Sequence, residues 1–117
     1  MQDGDSRDQS EIAVFSLLER GLATLSLEPD SERVRQLAEL VFLLSHWAQR
    51  INLTGHRDPV EMTGRLVLDA AALSCALPEL DSASAVADLG SGAGFPGLPL
   101  AILHPRLDVH LVDSRLK

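Results

Sequence analysis

The chain is short of cysteine and basic residues and has no long apolar run. Cys75 is the only cysteine among 117 residues, which excludes an internal disulfide framework and is typical of the reducing cytoplasm. No apolar stretch approaches the roughly 18 residues of a membrane span, and the first ten residues are polar, unlike a secretory signal. The net charge of −7 argues against broad nonspecific affinity for nucleic acid. We therefore expect a cytoplasmic chain with room for one domain.

The chain also lacks a recognisable catalytic or metal-binding constellation. Its four histidines do not have the spacing of metal ligands, and Cys75 has no partner motif. Packing or surface roles account for these side chains. The sequence therefore predicts no metal site and assigns no catalytic residue.

A glycine-rich stretch, VADLGSGAGFPG at 86–97, organises the rest of the chain. An apolar run precedes the glycines, a short helical pattern at 98–103 follows them, and a second β-like run at 109–112 ends in Asp113. Strand, glycine turn, helix and strand form the first half of a nucleotide-binding α/β unit. Asp113 follows Gly94 by 19 positions (113 − 94), close to the roughly 20 expected of a ribose-binding acid.

Two frames of the glycine motif point to different nucleotides. Gly92, Gly94 and Gly97 satisfy the dinucleotide pattern G-x-G-x-x-G, but an apolar strand does not lead directly into it. The frame DLGSGAG, which starts at Asp88, is similar to motif I of S-adenosylmethionine-dependent methyltransferases. In this frame Asp88 faces the methionine ammonium and Asp113 the ribose. A purely structural glycine turn in another α/β protein is the remaining alternative. The predicted cofactor-binding residues are Asp88, Gly90, Ser91, Gly92, Ala93, Gly94, Phe95, Pro96 and Asp113.

The residues before the glycines have helical patterns and divide the chain into three regions. We expect a disordered tail at 1–9, a helical region at 10–80 and the incomplete start of an α/β domain at 81–117. Ser10 is expected to cap the first helix, Ser31 or Asp30 the second, and Asp58 the third, with Pro59 in its first turn. The inward-facing residues expected of the first helix are Ile12, Phe15, Leu18, Leu22 and Leu25. Those of the second are Val34, Leu37, Val41, Leu44, Ala48 and Ile51, with Trp47 also in the core. Those of the third are Met62, Leu66, Val67, Ala70, Leu73 and Ala76.

Four segments carry a resemblance that covers the chain from about residue 12 to 117. They are WAQRINLT (47–54), RDPVEM (57–62), RLVLD (65–69) and DLGSGAGFPGLPLA (88–101). With them the chain resembles the bacterial small-subunit ribosomal RNA methyltransferase G family, also called glucose-inhibited division protein B. The resemblance implies amino-terminal helices followed by the first β-α-β unit of a class I, Rossmann-like methyltransferase fold. It also implies S-adenosyl-L-methionine as cofactor and guanine N7 of 16S ribosomal RNA, or the small ribosomal subunit, as target.

The helical region departs from the family pattern at three positions. Ala48, Leu66 and Ala70 stand where the family usually has Asn, His and Ser. A locally basic span, formed by His46, Arg50, His56, Arg57 and Arg65, is either a solvated surface or a phosphate-contacting patch. The candidate RNA-binding residues are Asn52, Arg57 and Arg65.

The length of the chain is the larger departure from the family. A class I methyltransferase has about seven strands, whereas this sequence supplies two. We therefore expect a truncated chain that is inactive alone and associates with itself through an unpaired sheet edge. A non-catalytic cofactor-binding or assembly module and an NAD-linked oxidoreductase fragment are the alternatives.

Overall fold

A computed structural model of the chain describes residues 2–51, 58–82 and 85–114, with side chains from Asp8 onward. Its helices are α1 (Gln2–Thr24), α2 (Ser31–Ala48), α3 (Pro59–Met62), α4 (Asp69–Ala76) and α5 (Gly97–Leu103). A π-helical segment (Thr63–Leu68, here the π segment) joins α3 to α4, and a 3-10 turn (Pro78–Asp81) follows α4. The two strands are β1 (Ala85–Leu89) and β2 (Asp108–Val112). Helices followed by a β-α-β unit confirm the predicted fold class. None of the helices in these described ranges is long and apolar enough to cross a membrane.

Helix α1 differs from the prediction at its start and on its buried face. It begins at Gln2, so residues 2–9 are helical rather than a disordered tail, and Ser10 is not its cap. Extending a helix adds one hydrogen bond per residue fixed, so the turns before the packed part form at little cost. The buried residues are Val14, Leu18 and Leu22, whereas Ile12 is 69% exposed. Ile12 lies two residues from Val14, which places it on the far side of the helix.

Helix α2 has the predicted cap and most of the predicted buried stripe. Asp30 is the cap, and its Oδ1 accepts a hydrogen bond from the Arg33 backbone N–H at 2.9 Å. The helix ends at Ala48, so Ile51 lies beyond it and is exposed. The placement of Trp47 in the core was wrong, because this side chain is 45% exposed. The buried residues of α2 are Val34, Leu37, Ala38, Val41, Leu44 and Ala48.

The third predicted helix is confirmed at its start but not uniform along its length. Asp58 Oδ2 accepts a hydrogen bond from the Glu61 backbone N–H at 3.0 Å, and Pro59 is the first helical residue. The wider turn of the π segment shifts the residues after it around the helix axis. Leu73, predicted to face inward, is therefore 40% exposed, and Ala76 is exposed as well. The residues buried instead include Ala71 and Ser74.

The helices and the glycine-rich stretch share one hydrophobic core. Buried residues of α1, α2, α3, the π segment and α4 form this core, and Ala93, Phe95, Ile102 and Leu103 pack against it. A smaller cluster of Leu80, Leu100 and Leu107 packs with Val86 and Val109 of the strands. The helices therefore support the segment that connects the two strands.

Strands β1 and β2 are parallel neighbours joined through α5. Their register runs from Ala85 opposite Asp108 to Leu89 opposite Val112. The carboxyl ends of both strands consequently meet at one edge, where ligands of α/β sheets bind. Among the described residues this sheet has two strands.

The cap of α2 can be tested directly. Asp30→Ala removes the acceptor of the Arg33 N–H and should lower the free energy of unfolding by roughly 0.5–2 kcal/mol in urea denaturation. Asp30→Asn keeps a side-chain oxygen that can accept from the Arg33 N–H, so it should lower the free energy of unfolding clearly less than Asp30→Ala does. Equal losses in the two variants would instead assign the stabilisation to the ion pair between Asp30 and Arg33.

Candidate functional site

The turn between β1 and α5 has a backbone that depends on glycine. Gly90, Gly92 and Gly94 have φ values of 74°, 56° and 98°. An L-residue pays a steric cost in this left-handed region, whereas glycine does not. These three residues therefore allow the chain to fold back on itself within the turn.

Backbone hydrogen bonds attach the turn to the end of β2. The N–H groups of Gly90 and Ser91 both donate to the Val112 carbonyl, at 2.6 and 3.2 Å. The carbonyl of Ser91, a buried residue, accepts from the N–H of Gly94 at 2.9 Å and of Phe95 at 3.3 Å. The turn is therefore held across the carboxyl ends of the strands.

Asp88, the acid within β1, binds the far end of the same turn. Its Oδ2 accepts a hydrogen bond from the Gly97 backbone N–H at 2.9 Å. Gly97 is the first residue of α5, so the carboxylate meets a backbone donor that lacks a partner within its helix. A carboxylate has about four acceptor sites, so this bond does not exhaust Asp88.

Asp113, which follows β2, binds the middle of the turn. Its Oδ2 accepts a hydrogen bond from the Gly92 backbone N–H at 2.6 Å. The two predicted acids thus lie at the ends of neighbouring strands and contact the turn at Gly97 and Gly92. The sequence showed both acids but not these two bonds, because the bonded residues are 9 and 21 positions apart.

The glycines differ in what surrounds them. A Cβ at Gly90 or Gly92 would meet no atom within 4 Å, so this side of the turn is open. A Cβ at Gly94 would collide with the Leu98 side chain. A Cβ at Gly97 would collide with Leu111 and lie 2.9 Å from Asp88 Oδ2. Gly90 and Gly92 therefore leave space for a ligand, and Gly94 and Gly97 permit close packing.

The structure brings together every predicted cofactor-binding residue, and of the three predicted RNA-binding residues it describes Arg65. Residues 90–96 form the turn, and Asp88 and Asp113 flank it. Arg65 lies in the π segment with an exposed side chain. Asn52 and Arg57 lie outside the described residues.

Comparison with known proteins assigns the chain to a family. The family model described as rRNA small subunit methyltransferase G matches residues 33–117, which include the glycine turn and both acids. The chain belongs to this family. The resemblance found in the sequence is thereby confirmed.

Curated members of the methyltransferase G family from several bacteria are similar to the chain. Each is named ribosomal RNA small subunit methyltransferase G. The Roseiflexus castenholzii protein is 48% identical over 88 residues, which are 75% of this chain and 37% of that protein. The Chromohalobacter salexigens protein is 43% identical over 102 residues, 86% of this chain and 46% of its own length. The Anaeromyxobacter protein is 40% identical over 107 residues, which are 92% of this chain and 48% of that protein. The chain therefore spans less than half the length of these relatives.

The packing of Gly97 against β2 leads to a stability prediction. Gly97→Ala should lower the free energy of unfolding by about 1–3 kcal/mol, the range for overpacking, because the new methyl group meets Leu111 and Asp88. The double variant Gly97→Ala with Leu111→Ala should recover part of the loss, and Leu111→Ala alone is the control. The free energies of unfolding of the wild type and the three variants, measured in urea, form a double-mutant cycle. If the losses of the two single variants simply add up in the double variant, the two positions are not in direct contact.

Proposed function

We propose that the glycine turn binds S-adenosyl-L-methionine, and that the full-length protein methylates guanine N7 of 16S ribosomal RNA. The observation that carries the proposal is the arrangement of three positive-φ glycines between two acids at the ends of adjacent parallel strands. Membership of the methyltransferase G family supports a transferase that acts on ribosomal RNA. The target is then the 16S RNA or the small subunit, and the place of action is the cytoplasm.

The residues at the turn fit the cofactor. The space beside Gly90 and Gly92 is open, so a ligand can reach the backbone there, and a side chain at either position would occupy that space. In this proposal Asp113 accepts hydrogen bonds from both ribose hydroxyls, and Asp88 faces the methionine ammonium. Opposite charges about 4 Å apart attract by about 4 kcal/mol at an effective dielectric near 20, before the cost of desolvation. A positively charged ligand therefore suits a site flanked by two carboxylates.

The proposed reaction makes few demands on acid–base chemistry. The bound cofactor supplies a methyl group on a positively charged sulfur, and guanine N7 has an in-plane lone pair to receive it. No side chain of the protein has to remove a proton from N7. The work of the chain is to hold the cofactor through Asp88, Asp113 and the turn, and so to fix the direction of approach. This work requires no catalytic histidine or cysteine.

The activity is proposed for a full-length family member rather than for this chain alone. The described sheet has two strands, and a stable open sheet normally requires three or more strands or a covering layer. Leu89 and Val112, at the ends of the strands, are 77% and 48% exposed. We accordingly propose that the 117-residue chain is inactive by itself and associates through an unpaired sheet edge.

Calorimetry with S-adenosylhomocysteine tests the cofactor site. The wild-type chain should bind this ligand, and Gly92→Val should abolish binding, because a branched side chain would fill the open space and resist a φ of 56°. Gly64→Ala is a matched control, since its new methyl group also meets no atom within 4 Å but lies in the π segment. Unchanged affinity in Gly92→Val would exclude this turn as the site. Binding of NAD in place of S-adenosylhomocysteine would favour the dinucleotide frame.

The role of Asp113 leads to a separate prediction. Asp113→Ala should reduce the binding free energy of S-adenosylhomocysteine by roughly 1.5–3 kcal/mol, the range for hydrogen bonds to a charged group. Asp113→Asn keeps an acceptor for the Gly92 N–H, so it separates support of the turn from contact with the ribose. The loss in Asp113→Ala should be much smaller for an analogue without ribose hydroxyls. Equal losses for both ligands would show that Asp113 acts only on the turn.

A further inference from the structure

The carboxyl-terminal end of α2 carries an exposed aromatic and basic surface. His46, Trp47 and Arg50 form this surface, here the Trp47 patch. The Trp47 side chain is 45% exposed, and the His46 ring meets it edge to face with centroids 5.5 Å apart. Arg50 Nη1 donates to the His46 carbonyl at 3.1 Å and lies 3.4 Å from the His46 ring Nδ1. These contacts hold the three side chains together at one end of the helix.

The exposure of Trp47 follows from its position on α2. Leu44 and Ala48, four residues apart, point into the core. Trp47 lies about 100° around the helix from Ala48 and shares its side of the helix with Leu43, which is 58% exposed. The indole therefore presents its surface to solvent, although tryptophan is highly buried on average.

The charge of the patch differs from that of the rest of α2. Arg33 pairs with Asp30, and Arg35 pairs with Glu32 and Glu39. The hydrogen bond from Arg35 to Glu32 raises the pKa of Arg35. Both arginines therefore already have a carboxylate partner. Among the described residues, Arg50 has no carboxylate at ion-pair distance and instead contacts His46. A guanidinium has five N–H donors, which suits it to a phosphate.

We propose that the Trp47 patch binds single-stranded RNA, with a base stacked on the Trp47 indole and a phosphate on Arg50. This inference rests on the proposed function, because it names a surface for the RNA of that reaction. An aromatic face beside a guanidinium is the combination that binds unpaired nucleotides. In a chain of net charge −7, a local basic surface is where an anionic strand meets least repulsion. A second copy of this acidic chain is the less favoured occupant.

The experiment uses the full chain and a twelve-nucleotide RNA strand of mixed sequence without self-complementarity. Trp47 is the only tryptophan, so its fluorescence reports on this surface alone. Its emission should fall as RNA is added at low salt, and a duplex of equal length should bind more weakly. In anisotropy titrations with labelled RNA, Trp47→Ala should weaken binding by about 5- to 150-fold, the range for one stacked base. Trp47→Phe should restore part of the affinity.

Two further variants separate stacking and phosphate contact from general effects. Leu43→Ala removes an even more exposed apolar side chain from the same side of α2, and this variant should bind RNA as the wild type does. Arg50→Gln should reduce the slope of log affinity against log salt by about 0.7, the value for one phosphate of a single strand. Circular dichroism checks that each variant is folded.

The outcomes distinguish this inference from the proposed function. The proposal for the Trp47 patch is overturned if Trp47→Ala binds RNA as tightly as the wild type. It is also overturned if the Trp47 emission does not change at saturating RNA, or if the wild-type chain binds no RNA. Concentration-dependent dimerisation that Trp47→Ala abolishes, without an effect of RNA, would also overturn it in favour of a second copy. S-adenosylhomocysteine is titrated in parallel and should bind Trp47→Ala as tightly as the wild type. If the wild-type chain does not bind S-adenosylhomocysteine, the proposed cofactor site is refuted, and the proposal for the Trp47 patch is not affected.

Discussion

Two carboxylate-to-backbone hydrogen bonds hold the glycine turn, and the site at the edge of the sheet depends on them. Asp88 accepts from the Gly97 N–H where α5 begins, and Asp113 accepts from the Gly92 N–H in the middle of the turn. Asp88 lies in β1 and Asp113 directly follows β2, so the parallel pairing of the two strands brings both acids beside one turn. The Asp88 carboxylate also satisfies a donor at the start of α5 that would otherwise lack a partner within the helix.

The same two acids serve both the fold and the proposed chemistry. A carboxylate that already bonds to the backbone is oriented before a ligand arrives, so little conformational freedom remains to be lost on binding. The bond to the Gly97 N–H uses one acceptor site of Asp88, and the remaining sites of this carboxylate suit an ammonium. In the proposed reaction the two acids only align the cofactor, and guanine N7 has no proton to lose, so no proton-transferring group is required.

The helical region contributes to the site through packing. Ala93 and Phe95 of the turn pack against the core formed by α1, α2, α3, the π segment and α4. The helices therefore support the turn on one side, while the strands hold it on the other. The exposed end of α2 carries the Trp47 patch, which makes the helical region a candidate surface for RNA as well as a scaffold for the turn.

Local patterns in the sequence were sufficient for the β-α-β order, the caps at Asp30 and Asp58, and the cluster of glycines and acids. These features depend on residues close in the chain, where turn chemistry and side-chain spacing act directly. The exposure of Ile12, Leu73 and Trp47 and the bonds of Asp88 and Asp113 to the turn were decided by the tertiary structure. A stripe of apolar residues does not specify which side of a helix meets the core, and the π segment rotates the residues that follow it. The two bonds join residues 9 and 21 positions apart, so they exist only once the strands have paired.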